Sequence, residues 1–353
     1  MSVKSKTPQL ETVHHYAGVP SFYRAPLVDI EDLPEGSVAC LGVPLDSWTL
    51  GRNGQRMAPR AIREQSLYLA GYYGLQAKPG FGYVNVEDGS ISTMPDTPRL
   101  FDVGDVRLHQ ADPQAQTESI ASAVAGIVER GAMPLVLGGD HYVPYPSYLG
   151  FVRGMKERKP DLKVGFLNFD GHFDLWDEFK DMGRYNHGTF ARRISEVPET
   201  EKMVWWGLNG TLIAEPDQIE LCRDRGFAAY TVDSIRKRGI QETIREALEI
   251  ASDGADVIYV TFDIDATDGA FAPGTHSMVV EGLTSGEVLK AVAELSGFEK
   301  LGAFDVCEMI PQYDVGGGRT ARYACHVILS AIGDKFHESK PGFSQEDMSA
   351  VFR

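Results

Sequence analysis

Four apolar runs of this sequence break into side chains that can bind a metal ion or move a proton. Leu135-Val-Leu-Gly-Gly-Asp-His141 ends in an imidazole behind two glycines that let the backbone turn sharply. Val164-Gly-Phe-Leu-Asn-Phe-Asp170 runs on to His172 and Asp174, and Val257-Ile-Tyr-Val-Thr-Phe-Asp263 to Asp265. Leu301-Gly-Ala-Phe-Asp-Val-Cys-Glu308 closes on a carboxylate. Side chains at i, i+2 and i+4 of an extended chain share one face. Asp170, His172 and Asp174 can therefore reach one site, and so can Asp263 and Asp265. Two imidazoles and four carboxylates (His141, Asp170, His172, Asp174, Asp263, Asp265), with no thiolate, make a borderline-to-hard donor set. It suits Mn²⁺ first, with Ni²⁺, Fe²⁺ or Co²⁺ behind it, whereas structural zinc usually brings cysteine. Six donors exceed what one ion takes from protein while keeping a place for water. Two ions about 3.5–4 Å apart, bridged by carboxylates, would use them all. Singly each motif is weak, since a strand-end Asp is commonly a turn or cap residue; their joint occurrence at strand ends carries the reading.

These groups must be positioned by the runs that precede them. Strands are expected at Val38–Val43, Leu100–Val103, Pro134–Leu137, Val164–Phe169, Met203–Leu208, Val257–Phe262 and Lys300–Val306. Several are apolar on successive residues, the pattern of strands covered on both faces. Helices are expected at Pro59–Ser66, Pro113–Glu129, Tyr145–Lys156, Asp217–Arg225, Ile240–Ala251, Ser285–Leu295 and Thr320–Ile332. Alternation of this kind specifies an α/β fold, a three-layer αβα sandwich around a mostly parallel, doubly wound sheet. With no repeat or linker in sight, residues 1–353 read as a single catalytic domain. Its N-terminal segment (about 1–30) and C-terminal tail (about 336–353) are polar and expected to be irregular. In such a sheet ligands bind beyond the carboxyl ends of the strands, where the four motifs end.

Composition narrows the field. The chain has 353 residues, 43% hydrophobic and 24% charged, so a sizeable core is expected. A formal net charge of −16 offers no basic stripe and disfavours nucleic acid. An acidic surface can steer a cationic substrate, although solubility alone accounts for it as well. Cys40, Cys222, Cys307 and Cys325 are scattered without a C-x-x-C pair, which argues against a disulfide framework. The first residues lack the apolar core of a signal peptide, and no run approaches the roughly 20 apolar residues of a membrane span. A cytoplasmic protein is expected.

Taken together, Gly138-Gly-Asp-His141, Asp170-Gly-His-Phe-Asp174, Asn186-His-Gly-Thr189, Thr261-Phe-Asp-Ile-Asp265 and Ala272-Pro-Gly-Thr275 resemble the ureohydrolases: arginases, agmatinases, guanidinobutyrases and formiminoglutamases. The resemblance runs from about Tyr16 to Ile332. Tyr16-Ala-Gly-Val-Pro-Ser-Phe-Tyr-Arg24 and Ala58-Pro-Arg-Ala-Ile-Arg63 are similar to the agmatinase branch. It implies that His141 and Asp174 hold one manganese and His172 and Asp265 the other, with Asp170 and Asp263 bridging. It likewise implies that His187 shuttles protons, that Glu308 grips a guanidinium, and that Asp174 or His187 protonates the leaving amine. The implied reaction is hydrolysis of a guanidino compound to urea and an amine by a water activated between two ions. The implied assembly is a homo-oligomer, trimer or hexamer, and a metal-loading accessory protein is a further candidate partner.

The sequence also departs from that pattern. Where the family usually reads Gly-Thr-Gly-Thr-Pro, this chain has Gly274-Thr275-His276-Ser277-Met278, and Glu281 replaces one of a glycine pair. Gly171, Phe173 and Tyr142 also differ from common family residues. Because this loop lines the substrate pocket in relatives, His276 and Ser277 are candidate substrate contacts. The substrate is agmatine-like or an unusual guanidine: free guanidine, a guanidino acid or a biguanide. The alternative is a non-catalytic ureohydrolase-fold subunit of a hetero-oligomer; a single-zinc deacetylase on a related fold would need fewer ligands.

Overall fold

The computed structural model describes residues 16–72, 82–86, 89–93, 95, 97–109, 111–179, 181–210 and 214–352. Its strands are β1 (Val38–Gly42), β2 (Gly82–Val84), β3 (Ile91–Thr93), β4 (Leu100–Asp105), β5 (Met133–Leu137), β6 (Val164–Phe169), β7 (Thr200–Leu208), β8 (Ala228–Thr231), β9 (Val257–Asp263), β10 (Leu301–Cys307) and β11 (Glu338–Lys340). Eight form one sheet in the order β4-β1-β5-β10-β9-β6-β7-β8. Every pairing in it is parallel.

Runs that look uniformly apolar are sorted by strand period into two cores. Leu135, Leu137, Leu167, Trp206, Val260 and Phe304 pack on one face. Their neighbours Val136, Phe166, Trp205, Tyr259 and Ala303 pack on the other. The first face is covered by α1 (Ala58–Tyr72), by α7 (Ile240–Ser252), by α8 (Ser285–Val292) and by α9 (Arg319–Phe336). The second is covered by α2 (Pro113–Glu129), α3 (Pro144–Lys156) and α4 (Phe190–Ser195). Helix starts follow local chemistry. Asp112 caps α2 by accepting from the Ala115 amide at 3.0 Å ahead of Pro113, and Thr284 with Glu287 forms a capping box on α8. The helix α5 (Pro216–Arg225) stops at Gly226, whose φ of +63° is the left-handed conformation glycine tolerates.

A buried ion pair ties α1 to the sheet. Arg63 meets Asp102 through two bonds, Nε to Oδ2 at 2.8 Å and Nη2 to Oδ1 at 2.9 Å. Asp102 Oδ2 also accepts the Phe22 amide at 2.7 Å, which anchors the N-terminal segment.

Three differences from the sequence reading have physical reasons. Strand β8 and the helix α6 (Val232–Arg238) behind it are too short for a periodic signal. The tail expected to be irregular contains β11, which pairs antiparallel with β3, and α10 (Gln345–Val351). That pairing is made by backbone groups, which a polar side-chain pattern does not reveal. The segment expected to be irregular over about 1–30 lies partly outside the described residues; within 16–30 it includes the short turn Phe22–Arg24. Among the described residues no helix is long and apolar enough to cross a membrane.

Candidate metal centre and substrate cavity

The four strands that end in motifs, β5, β10, β9 and β6, are consecutive neighbours at the centre of the sheet. Their registers align the ends: Leu137 lies beside Val306, Cys307 beside Asp263, and Phe262 beside Phe169. Strands in a sheet lie about 4.8 Å apart. Groups at these ends and up to five residues past them are thereby brought within ion-sharing reach of each other.

Two clusters result. In one, donor atoms of His141, Asp170, Asp174 and Asp263 lie within 4.8 Å of one another; in the other, those of Asp170, His172 and Asp265 do. Asp170 belongs to both. His141 Nδ1 sits 3.0 Å from Asp174 Oδ2, 3.0 Å from Asp263 Oδ2 and 3.3 Å from Asp170 Oδ2. His172 Nδ1 sits 3.1 Å from Asp265 Oδ2 and 3.5 Å from Asp170 Oδ1. Asp263 belongs to the His141 cluster alone, and its Oδ1 accepts the Asp265 amide at 2.7 Å.

The supporting backbone is built for this convergence. A Cβ on Gly139 would lie 1.7 Å from the Leu45 carbonyl oxygen, so only glycine lets the turn before His141 pass. Asp174 and Glu308 both hold left-handed backbone, at φ +47° and +65°. Such strain persists only where the surroundings over-determine it, and it is concentrated at functional sites.

The electrostatics call for cations. Burial disfavours the imidazolium of His141 and His172, yet the facing carboxylates outweigh it and raise both. Burial and neighbouring carboxylates push Asp174 and Asp263 above their ordinary range. Burial would likewise raise Asp170, but the two imidazoles hold it low. A buried set of four carboxylates and two imidazoles with no Lys or Arg among them fits divalent ions by charge and donor type.

Glu308 stands beside the clusters. Its Oε1 accepts the His141 amide at 2.8 Å, and its Oε2 accepts from Gln55 Nε2 at 2.8 Å. His187 Nδ1 is 3.5 Å from Glu308 Oε1. Burial would raise Glu308, but His187, His276 and Gln55 hold it down at about 2. The Leu50 amide donates to His187 Nε2 at 3.2 Å. A neutral His187 therefore carries its proton on Nδ1, facing Glu308. The His276 ring packs edge-on to His187 with centroids 5.0 Å apart, and its Nδ1 is buried without a hydrogen-bond partner. Burial lowers His276, which keeps it neutral.

Part of this constellation opens onto a cavity of about 690 Å³ whose lining includes His172, Asp174, His187, His276 and Ser277. Aromatic walls come from Phe173, Trp176 and Phe179. The structure thus brings together every candidate residue read from the sequence. Sequence reasoning missed Gln55, which lies on a glycine-bearing loop with no motif of its own. It also missed Asn168, Thr261 and Asp305, polar residues inside otherwise apolar strands. That contrast was the available signal.

A central parallel sheet with a carboxylate-rich centre at its carboxyl edge defines a metal-dependent α/β enzyme class. The chain belongs to the Arginase family, matching it over residues 36–333. It is 30% identical over 331 residues to a human mitochondrial guanidino acid hydrolase, covering 93% of this chain and 86% of that protein. It is 34% identical over 321 residues to an agmatinase from Chromobacterium violaceum, covering 90% and 88%. The crystal structure of a hypothetical agmatinase from Burkholderia thailandensis superimposes with a TM-score of 0.73 at 28% identity, covering 94% of this chain and 96% of that one.

Proposed function

We propose that this protein is an amidinohydrolase that cleaves a guanidino compound to urea and an amine at a pair of divalent ions. The observation that carries the reading is the pair of clusters sharing Asp170, with Glu308 and His187 beside them. His141, Asp174 and Asp263 would hold one ion, His172 and Asp265 the other, and Asp170 both. Asp263, whose Oδ1 keeps a lone pair beyond the one taken by the Asp265 amide, would be available to the second ion as well, as the family resemblance implies. A pair of ions there supplies Lewis acidity and a water acidic enough to serve as a nucleophile near neutral pH. Glu308, a carboxylate whose Oε2 keeps a lone pair beyond the one taken by Gln55, would bind and orient the planar guanidinium by a charge-assisted hydrogen bond. His187 holds a proton at Nδ1 and, with Asp174, is positioned to deliver one to the departing amine. Mn²⁺ as the ion, a trimeric or hexameric assembly and a cytoplasmic setting belong to the same proposal and rest on the family resemblance.

The cavity lining favours a guanidine without a charged tail. No Lys or Arg is among its described lining residues, so the carboxylate of a guanidino acid meets no cation. Its one carboxylate is Asp174, already engaged with His141, so the distal ammonium of agmatine meets no anion either. Phe173, Trp176, Phe179, Leu50 and Leu208 suit a short or apolar substituent. A non-catalytic scaffold role has no observation in its favour, since the complete donor set is assembled.

Urea release is the test, measured with guanidine, methylguanidine, agmatine, arginine and 4-guanidinobutyrate on protein loaded with Mn²⁺ or with Ni²⁺. The expected result is a kcat/KM at least about tenfold higher for the uncharged-tail substrates, the scale of one unsatisfied pocket contact. A preference for agmatine or guanidinobutyrate overturns the substrate assignment. No urea from any compound in metal-replete protein overturns the hydrolase assignment.

A further inference from the structure

Behind the metal centre lies a buried polar chain that the proposed reaction does not use. Asp305, in the middle of apolar β10, is wholly buried, and among the described residues no Lys or Arg pairs with it. Its Oδ2 accepts from Tyr259 Oη at 2.7 Å, and its Oδ1 accepts from Thr261 Oγ1 at 2.5 Å and from Cys307 Sγ at 3.6 Å. Thr261 Oγ1 in turn lies 3.3 Å from His141 Nε2. Tyr259, Thr261 and His141 are themselves wholly buried.

Proton counting gives this chain a direction. Three donors converge on the Asp305 carboxylate, which therefore accepts in each of these contacts, and the Thr261 and Tyr259 hydroxyls limit the rise that burial imposes on it to about 6. A threonine hydroxyl has one proton, and here that proton goes to Asp305. Its oxygen can then only accept along the other contact, so His141 Nε2 is the donor. With Nε2 protonated, a neutral His141 presents a bare Nδ1 to Asp170, Asp174 and Asp263. That tautomer is the one a cation ligand needs, and outer partners of a metal-binding histidine commonly fix it in this way.

We propose that Asp305 and Thr261 form a positioning relay that locks the tautomer and ring orientation of His141, and thereby sets the affinity of the ion His141 holds. The relay rests on the two-ion reading above and adds to it an asymmetry between the ions. His172 faces the cavity with its side chain 27% exposed, whereas His141 is fully enclosed and braced from behind.

The test is titration of the metal-free full-length protein with Co²⁺ alone, followed by its visible absorption and by equilibrium dialysis. Wild type is expected to take two ions per chain. Thr261→Val removes the acceptor at nearly constant volume and is expected to weaken one ion 10–100-fold, the range typical of outer-partner loss. Thr261→Ser keeps the hydroxyl and is expected to restore wild-type binding. Asp305→Asn, which can donate to the Thr261 oxygen and reverse the chain, is expected to weaken the same ion. Unchanged Co²⁺ affinity in Thr261→Val, or equal weakening of both ions, overturns the relay. If Thr261→Val fails to fold, wild-type affinity in Asp305→Asn or weakened binding in Thr261→Ser overturns it instead. Absence of Co²⁺ binding by wild type would overturn the two-ion reading itself, a separate failure.

Discussion

Asp170→Asn isolates the charge shared by the two clusters while keeping the shape of the side chain. Asp170 is completely buried, and its Oδ1 accepts the His172 amide at 2.6 Å while its Oδ2 accepts from Asn168 Nδ2 at 2.9 Å. The asparagine can retain the first contact, so the strand end should stay in place. A unit charge about 4 Å from a divalent ion interacts with it by about 8 kcal/mol at an effective dielectric constant of about 20, and the amide oxygen left in its place recovers part of this. Each 1.4 kcal/mol is about tenfold, so losing this carboxylate should cost each ion at least about 10³-fold in affinity. Without ions, Asp170 is held low by the His141 and His172 rings it faces and in turn raises both, so its charge stabilises the metal-free site even though it repels Asp174 and Asp263. The metal-free variant should therefore melt below the wild-type temperature. Saturating Mn²⁺ at about 100 times its Kd, which stabilises wild type by about 2.7 kcal/mol, should raise the variant's Tm little at the same concentration. Differential scanning calorimetry with and without Mn²⁺, metal analysis after gel filtration, and urea release together read out the effect. Two tightly held ions per chain with wild-type turnover would refute the shared-ligand reasoning. A metal-free Tm at or above that of wild type would refute the electrostatic account of the site.

Two predictions concern the framework. Gly139→Ala puts a Cβ 1.7 Å from the Leu45 oxygen and 2.7 Å from its nitrogen, so two backbone segments must part; a loss of at least about 3 kcal/mol in urea denaturation is expected, with weaker metal binding. A loss below 1 kcal/mol would show that the turn has slack. Arg63→Ala leaves Asp102 buried with its charge uncompensated and should cost about 3–5 kcal/mol in chemical denaturation, whereas Arg63→Ala with Asp102→Ala should cost less than the single change.

Much of the fold was legible because burial on both faces writes itself into side-chain type. The runs at Val164–Phe169 and Val257–Asp263 are strands because they are continuously apolar, and the helices between them start at recognisable caps such as Asp112 and Thr284. The short edge strand Ala228–Thr231 and the strand Glu338–Lys340 carry no such signal, because backbone pairing defines them.

For the site the division is sharper. Residue type and alternate spacing by themselves specified the donor set His141, Asp170, His172, Asp174, Asp263 and Asp265, since hard cations select carboxylate and imidazole whatever the fold. Tertiary structure alone decided that β5, β10, β9 and β6 stand side by side, although the chain visits them in a different order. It alone placed Gln55 on Glu308 and Asp305 behind Thr261, contacts spanning 253 and 44 residues. It also decided that no Lys or Arg is among the described residues lining the cavity. Local spacing constrains groups on one strand, because their geometry is covalent. Which strands become neighbours is set by how the whole sheet buries its two apolar faces, and no local run of residues records that.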